Sequence, residues 1–310
     1  MQKRTILPIK SDVIFRLFYA DERNQEFLIS LLKSILRLPD EDYNRIDIAD
    51  PHLLREFDGD KLGIIDIKLY TKTRKTIHIE IQLHVTPEQL QKRIIFYDAK
   101  LITEQVGRGD DYDSINKVIS IVITDENLIS ASPKYHHRFT LYDPNAEVEF
   151  SDIIEINTLE LRKLPKATDG TTLYDWAKFI AAETEEELTM VAERNPVVNE
   201  AVVKLRELSA DEQARDLFER REKARRDFVM HKNWAEKQGR LKGLEEGRLE
   251  GRLEGIKEGI KEGKLEGVKE GKMEAKLEVA KNLRKMNIPL DQIAAATDLT
   301  LEEIESGGIV

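Results

Sequence analysis

The spacing of hydrophobic and polar residues changes several times along the chain, and each spacing predicts a different element. After Asn24, a plausible N-cap, apolar residues recur at the three- and four-residue intervals of an amphipathic helix. Residues 63–70 and 76–83 alternate like two strands of a hairpin, and residues 89–105 return to helical spacing. Residues 117–124 form a nearly continuous apolar run, which is typical of a central buried strand. This order of elements predicts a mixed α/β or α+β fold.

Composition divides the chain into four predicted regions. Residues 1–155 carry the alternating helix and strand patterns, and residues 156–235 have helical patterns only. In residues 236–278, glycine recurs at every fourth position in a charged sequence that is either a helix or a linker. Residues 279–310 contain two short helix signals, the second with a capping box, and are expected to form a small terminal cap.

The predicted hairpin places polar residues on one face of two neighbouring strands. Alternation assigns Ile65, Ile67 and Leu69 to one face of the first strand, and Asp66 and Lys68 to the other. In the second strand, the isoleucines share one face, and the opposite face carries the residues His78, Glu80, Gln82 and His84. If the loop centres on Thr73, Asp66 lies directly opposite Glu80.

Two interpretations of this polar face remain open from the residues alone. Two facing carboxylates repel each other, and a hard divalent cation bound by Asp66, Glu80 and a nearby backbone carbonyl, such as that of Ile81, would compensate. Alternatively, the polar positions form an ordinary solvated sheet face, on which His78 and His84 are plain surface residues.

Overall composition limits the classes of function. The 310-residue chain has no cysteine, which excludes disulfides and cysteine-based metal sites. Its formal net charge is -10, so any contact with DNA must come from local clusters of basic residues. The sequence shows no signal peptide and no apolar run long enough to span a membrane, and the expected compartment is the cytoplasm.

Several motifs together resemble one known family. The stretch Gly63–Asp66, followed after a short loop by Ile79–Gln82, looks like the active-site hairpin of the Rpn family of recombination-promoting nucleases, also called PD-(D/E)XK family transposases. Lys10–Phe18 and Arg93–Tyr97 are similar to its first and second helices, and Leu159–Pro165 to its middle region. The resemblance implies a restriction-endonuclease-like mixed sheet flanked by helices, then an all-α region and a glycine-periodic helical tail.

The resemblance also implies an activity and a set of site residues. The implied activity is a metal-dependent DNA endonuclease linked to recombination or mobile elements, with Mg²⁺ expected and Ca²⁺ or Mn²⁺ as alternatives. Asp66, Glu80 and the Ile81 carbonyl are the expected metal ligands, and Gln82 stands where the wider superfamily has lysine. Glutamine can orient water but supplies no charge. The competing interpretation is a nuclease-fold DNA-binding or assembly protein with weak or no catalytic activity.

Further residues are candidates for supporting roles. Those that could face the site are Asp12, Lys68, Arg93, Tyr97 and Lys100. For Asp12 the alternative is helix capping, and for the others an ordinary surface or amphipathic-helix role. At the hairpin tip the candidates for DNA backbone contacts are Lys72, Arg74 and Lys75. The glycine repeat favours self-association into a homo-oligomer through close helix packing, with a solvated linker as the alternative.

Overall fold

A mixed sheet of six strands organises the N-terminal part of the chain. The computed structural model describes residues 6–52, 65–83 and 86–309. The strands lie in the order β1-β2-β3-β4-β6-β5, with β3, β4 and β6 parallel and the remaining neighbours antiparallel. Their bounds are β1 Ile46–Ala49, β2 Ile67–Thr71, β3 Thr76–Gln82, β4 Val118–Thr124, β5 His136–Asp143 and β6 Val148–Glu160. The predicted mixed sheet is therefore confirmed.

Helices cover both faces of this sheet. Their bounds are α1 Asp12–Tyr19, α2 Gln25–Ile35, α3 Pro87–Thr103, α4 Thr172–Ala181, α5 Glu185–Ala192, α6 Pro196–Ala210, α7 Glu212–Lys285, α8 Leu290–Thr297 and α9 Leu301–Ser306. On one face, the isoleucines of β3 and β4 pack with α1, α2 and α4–α6 in the main hydrophobic core. On the other face, Val118 and Val122 of β4 pack against α3. Strand β4 is buried along its whole length, as its apolar run predicts.

The alternation predicted for the first hairpin strand fails at its beginning. Ile67 and Leu69 belong to the main core, as expected. Ile65 instead packs with Tyr97 and Leu101 of α3, on the other side of the sheet, so the prediction that it shares their face is wrong. The cause is the backbone bend at Asp66, which precedes the first residue of β2. Strand alternation applies only where the backbone is extended.

The chain divides into two compact units, Met1–Arg225 and Arg226–Val310. The boundary lies inside α7, a helix of 74 residues that includes the whole glycine repeat. In the second unit, the end of α7 packs with α8 and α9 around Ala280, Ile293 and Ile304. The capping box predicted at Thr300 begins α9. Among the described residues, no helix is both long and apolar enough to cross a membrane.

Candidate active site

The β2–β3 hairpin brings Asp66 and Glu80 into direct contact. Ile67 pairs with Ile79, the register expected for a loop centred on Thr73. One step before this pair, the Asp66 backbone N–H donates a hydrogen bond to Glu80 Oε1 at 3.2 Å. The Ile81 backbone N–H donates to Asp66 Oδ2 at 2.8 Å. The two side chains are therefore held together at the end of the hairpin farthest from its loop.

This polar face is not solvated. Glu80 is 1% exposed and Asp66 is 7% exposed, because α3 lies across this side of the sheet. His78 is fully buried as well, so the interpretation of a solvated face carrying a surface histidine is wrong for the described residues. His84 lies outside the described residues. Burying two ionisable side chains is costly unless charged or hydrogen-bonding partners compensate.

Arginines from two helices supply part of that compensation. Arg93 of α3 donates from Nη2 to Glu80 Oε2 at 2.9 Å, and its guanidinium lies 5.7 Å from the centre of the buried Tyr97 ring. Arg16 of α1 donates from Nη2 to Asp66 Oδ1 at 3.4 Å. Because α1 and α3 pack on opposite faces of the sheet, each carboxylate receives its arginine from a different side.

The electrostatics of the pair favour protonation. Burial is the largest influence on Glu80, the charge of Asp66 adds to it, and Arg93 opposes both; the result raises the pKa of Glu80 to about 8. Burial likewise raises the pKa of Asp66, although the Ile81 N–H and Arg16 oppose the change. A raised carboxyl pKa means that positive charge from the surroundings is insufficient for two ionised groups. The site can therefore accommodate an additional cation.

The donor atoms suit a hard divalent cation. Oxygen ligands of this kind are those that Mg²⁺ and Ca²⁺ prefer. In a strand, the N–H and C=O of one residue point to the same side. The Ile81 carbonyl is therefore directed toward β2 and Asp66, since its N–H already bonds to that side chain. The described part of the chain contains no group of three His, Asp or Glu side chains suited to metal, so an ion here would rely on two carboxylates, this carbonyl and water.

Two lysines predicted to support the site lie on different elements. Lys68 is buried, and its Nζ donates to Glu104 Oε2 at 3.0 Å at the end of α3. Lys68 is therefore not the ordinary surface lysine of the alternative interpretation, and its contact with a phosphate stays a prediction. Lys100 lies half-buried on α3, two turns after Arg93. Gln82 is the last residue of β3 and is half-buried, with Thr124 as its neighbour on β4.

Asp12 is a third acidic residue near the pair. Its negative charge contributes to raising the pKa of Asp66, after the larger effects of burial, the Ile81 N–H and Arg16. Asp12 follows the N-cap Ser11, and its Oδ1 accepts a hydrogen bond from the Val13 backbone N–H at 2.9 Å, so Asp12 also stabilises the beginning of α1. Arg221 of α7 donates from Nε to Asp12 Oδ2 at 2.8 Å, and a second guanidinium nitrogen contacts the same oxygen.

The basic residues of the hairpin tip lie at the other end of the strands. Lys75 is five residues before Glu80, which corresponds to about 17 Å along an extended strand. Its Nζ donates to the buried Asp42 Oδ2 at 2.9 Å, so Lys75 stabilises the turn. Arg74 adopts a left-handed backbone conformation with φ 64° in that turn. The tip therefore does not contribute to the immediate surroundings of Asp66, although Lys72 and Arg74 remain candidates for more distant DNA contacts.

Sequence reasoning missed a buried polar cluster beneath α3. His78 of β3, Asp98 of α3 and Ser120 of β4 form mutual hydrogen bonds, with His78 Nε2 2.8 Å from Asp98 Oδ1. It also missed the roles of Arg16 and Arg221 as partners of the acidic residues. For Arg16 a signal existed, since it follows Asp12 by four residues and therefore shares its helix face.

Comparison with known proteins identifies the family that the sequence motifs resemble. The model of one protein family, described as PD-(D/E)XK nuclease family transposase, matches residues 9–235. This range includes the hairpin, the sheet and all the arginines of the site. No curated protein and no solved structure matches the chain. Because the family match covers well over half of the sequence, the chain belongs to the PD-(D/E)XK nuclease family transposases.

Proposed function

We propose that this protein is a metal-dependent endonuclease that hydrolyses phosphodiester bonds in DNA. The observation that carries the proposal is the buried contact between Asp66 and Glu80, whose raised pKa values indicate a deficit of positive charge. A purely structural pair of this kind would destabilise the fold without a benefit. Family membership supports a nuclease-like activity for the same hairpin.

Some residues of the site would bind the cation, and others would orient the water and the metal ligands. Asp66 and Glu80 would hold a divalent cation with carboxylate oxygens, with the Ile81 carbonyl as a further ligand. When bound, the cation would lower the pKa of a water and offset charge on the phosphate. Gln82 would orient the attacking water through its side-chain amide, but it brings no positive charge. Arg93, held by Glu80 and Tyr97, would keep the Glu80 carboxylate in one position.

Plasmid cleavage by the purified full chain tests the proposal. We expect nicking and linearisation with Mg²⁺ or Mn²⁺, and none with EDTA. Asp66→Asn and Glu80→Gln each remove a ligand charge at nearly constant volume, so each should reduce cleavage at least about 100-fold. Asp42→Asn is the matched control, because Asp42 is a fully buried carboxylate near the hairpin tip rather than at the site. The Asp42→Asn variant should cleave DNA as the wild type does, provided that it folds.

The controls decide between cleavage and the alternative functions. Cleavage that persists in EDTA, or in an Asp66→Asn/Glu80→Gln double variant, would contradict the assignment of the site. Metal-dependent binding of DNA without cutting would instead support the DNA-binding alternative. One observation favours that alternative: Arg16 already pairs with Asp66 and Arg93 with Glu80, so both carboxylates have a positively charged partner without a metal ion. Folding of each variant can be followed by the fluorescence of Trp176, which is buried in the core of the first unit.

The proposal includes self-association through α7. Its repeat exposes many large apolar residues, among them Leu244, Ile260 and Leu265. At each glycine from Gly239 to Gly271, an added Cβ would meet no atom within 4 Å, which leaves the surface of the helix open to close approach. Four residues turn a helix by about 400°, so the row of glycines advances about 40° per repeat. A second copy of the helix would therefore contact a few successive glycines at a time.

A further inference from the structure

Each of the three acidic residues near the site is paired with an arginine from a different helix. The pairs are Asp66 with Arg16 of α1, Glu80 with Arg93 of α3, and Asp12 with Arg221 of α7. No lysine occupies the position after Ile81, where Gln82 stands. Positive charge for a bound phosphate must therefore come from another part of the chain, and these arginines already lie beside the acidic residues.

Arg16 is the arginine that can most readily change its partner. Its contact with Asp66 is the longest of the three, at 3.4 Å, and its side chain is 45% exposed. Arg93 is held more tightly, with a 2.9 Å contact, 26% exposure and the Tyr97 ring beneath it. Arg221 uses two nitrogens on Asp12. The Asp66 end of this pair is only 9% exposed, so the pair can open without a large cost only when a bound cation replaces the positive charge of Arg16.

We infer that Arg16 is the phosphate-binding residue of the site and takes the place of the missing lysine. Arg16 would leave Asp66 when that carboxylate turns its oxygens to a cation, and its guanidinium would then donate to the non-bridging oxygens of the phosphate beside the scissile bond. A guanidinium matches phosphate with two parallel hydrogen bonds and remains charged at any working pH. This inference rests on the proposed nuclease function.

Removing the Arg16 side chain should affect the binding of a cation and the binding of DNA differently. Without the guanidinium, Asp66 loses a competing positive charge, so binding of a divalent cation should be unchanged or tighter. DNA should bind more weakly, since one phosphate contact is lost. A residue that merely held Asp66 in place would behave differently, because its loss would weaken cation and DNA binding together.

The test compares Arg16→Ala and Arg16→Lys with a matched control in the full-length protein. Arg206→Ala serves as the control, because Arg206 is also an arginine paired with a carboxylate, Glu185, and its side chain is 43% exposed. Calorimetric titration with Mn²⁺ alone measures cation binding. Fluorescence anisotropy of a labelled DNA duplex in Ca²⁺, over a series of salt concentrations, measures phosphate contacts, and cleavage is followed in Mg²⁺.

For Arg16→Ala we expect Mn²⁺ affinity equal to or up to about tenfold above that of the wild type. DNA affinity should fall at least about tenfold, and the slope of log affinity against log salt should decrease by about 0.9. Cleavage should slow at least about 100-fold. Arg16→Lys should restore the salt slope, since it keeps the charge, and Arg206→Ala should match the wild type.

Parallel losses of Mn²⁺ and DNA affinity in Arg16→Ala would overturn the inference, because they would show that Arg16 only positions Asp66. An unchanged salt slope and DNA affinity would overturn it too. Either outcome leaves the nuclease assignment intact as long as the wild type cuts DNA and Asp66→Asn does not. If the wild type neither binds nor cuts DNA, the proposed function itself fails, and the role of Arg16 fails with it.

Discussion

Replacing Glu80 with glutamine tests the electrostatic cost of the buried carboxylate pair. Burial, together with the charge of Asp66, raises the pKa of Glu80 from 4.5 to about 8. At about 1.4 kcal/mol for each tenfold change in proton affinity, this rise corresponds to about 5 kcal/mol. Glutamine has nearly the same shape and never ionises, so Glu80→Gln should recover a large part of this free energy at high pH.

The sign of the pH dependence follows from proton binding. Between pH 4.5 and about 8, the folded protein holds a proton on Glu80 that the unfolded chain has released. The free energy of unfolding of the wild type should therefore be highest below pH 4.5, as far as this group is concerned, and should fall as the pH rises to about 8. Glu80→Gln should lack this fall, so its advantage should grow from near zero at about pH 5 to several kcal/mol at about pH 8.5.

Urea denaturation at a series of pH values in EDTA measures this difference. A Trp234→Phe background leaves the buried Trp176 as the only tryptophan, so that its fluorescence reports on the first unit. Glu155→Gln is the control of opposite sign. Although burial acts against it, hydrogen bonds from Arg138, Asn157 and Lys117 lower the pKa of Glu155 to about 2. This variant should be less stable than the wild type at neutral pH.

A constant difference between Glu80→Gln and the wild type at every pH would refute the reasoning, because only a titrating group produces a pH-dependent difference. A loss of stability in Glu80→Gln at about pH 8.5 would refute it as well. Such a loss would mean that the ion pair with Arg93 outweighs the cost of burying the charge.

Three further predictions concern the missing lysine and the long helix. Gln82→Lys should retain or increase the rate of plasmid cleavage, whereas Gln82→Ala should reduce it less than Asp66→Asn does; a dead Gln82→Lys variant would show that the pocket cannot accept the charge. Light scattering should give a mass larger than one chain for the 310-residue protein and the mass of a single chain for a truncation after residue 235. Monomeric masses for both proteins would leave only the interpretation of residues 236–278 as a linker. Gly251→Ala with Gly255→Ala should lower the melting temperature in circular dichroism and the mass in light scattering, because the added methyl groups would hinder the close approach of a second copy of α7. Within one chain nothing lies within 4 Å of either methyl group, so a rise in stability of about 1 kcal/mol per substitution would contradict close packing at these glycines.

The sequence by itself determined the features that follow from residues close together in the chain, namely the strands and the register of the hairpin. The apolar run of β4 predicted a buried central strand, and the alternation around Thr73 predicted the register that pairs Ile67 with Ile79. Both depend on the period of two that any extended backbone imposes on its side chains. The same local pattern is enough to predict that Asp66 and Glu80 face each other across the hairpin.

Only the tertiary structure decided which polar positions are buried. The alternating pattern of β3 is compatible with a solvated face, and nothing within the strand indicates that α3 covers it. That cover turns His78 and Glu80 into buried residues and gives Glu80 its raised pKa. The bend at Asp66, which places Ile65 against α3, is likewise invisible to a periodic pattern.

The partners of the acidic residues were also decided by the tertiary fold. Arg16 and Asp66 are 50 positions apart in the sequence, and Asp12 and Arg221 are 209 positions apart. A sequence records the charge of each residue but not its distance from a charge on another helix. Because electrostatic energy depends on distance and on burial, the charge balance of the site becomes defined only when α1, α3 and α7 are packed around the sheet.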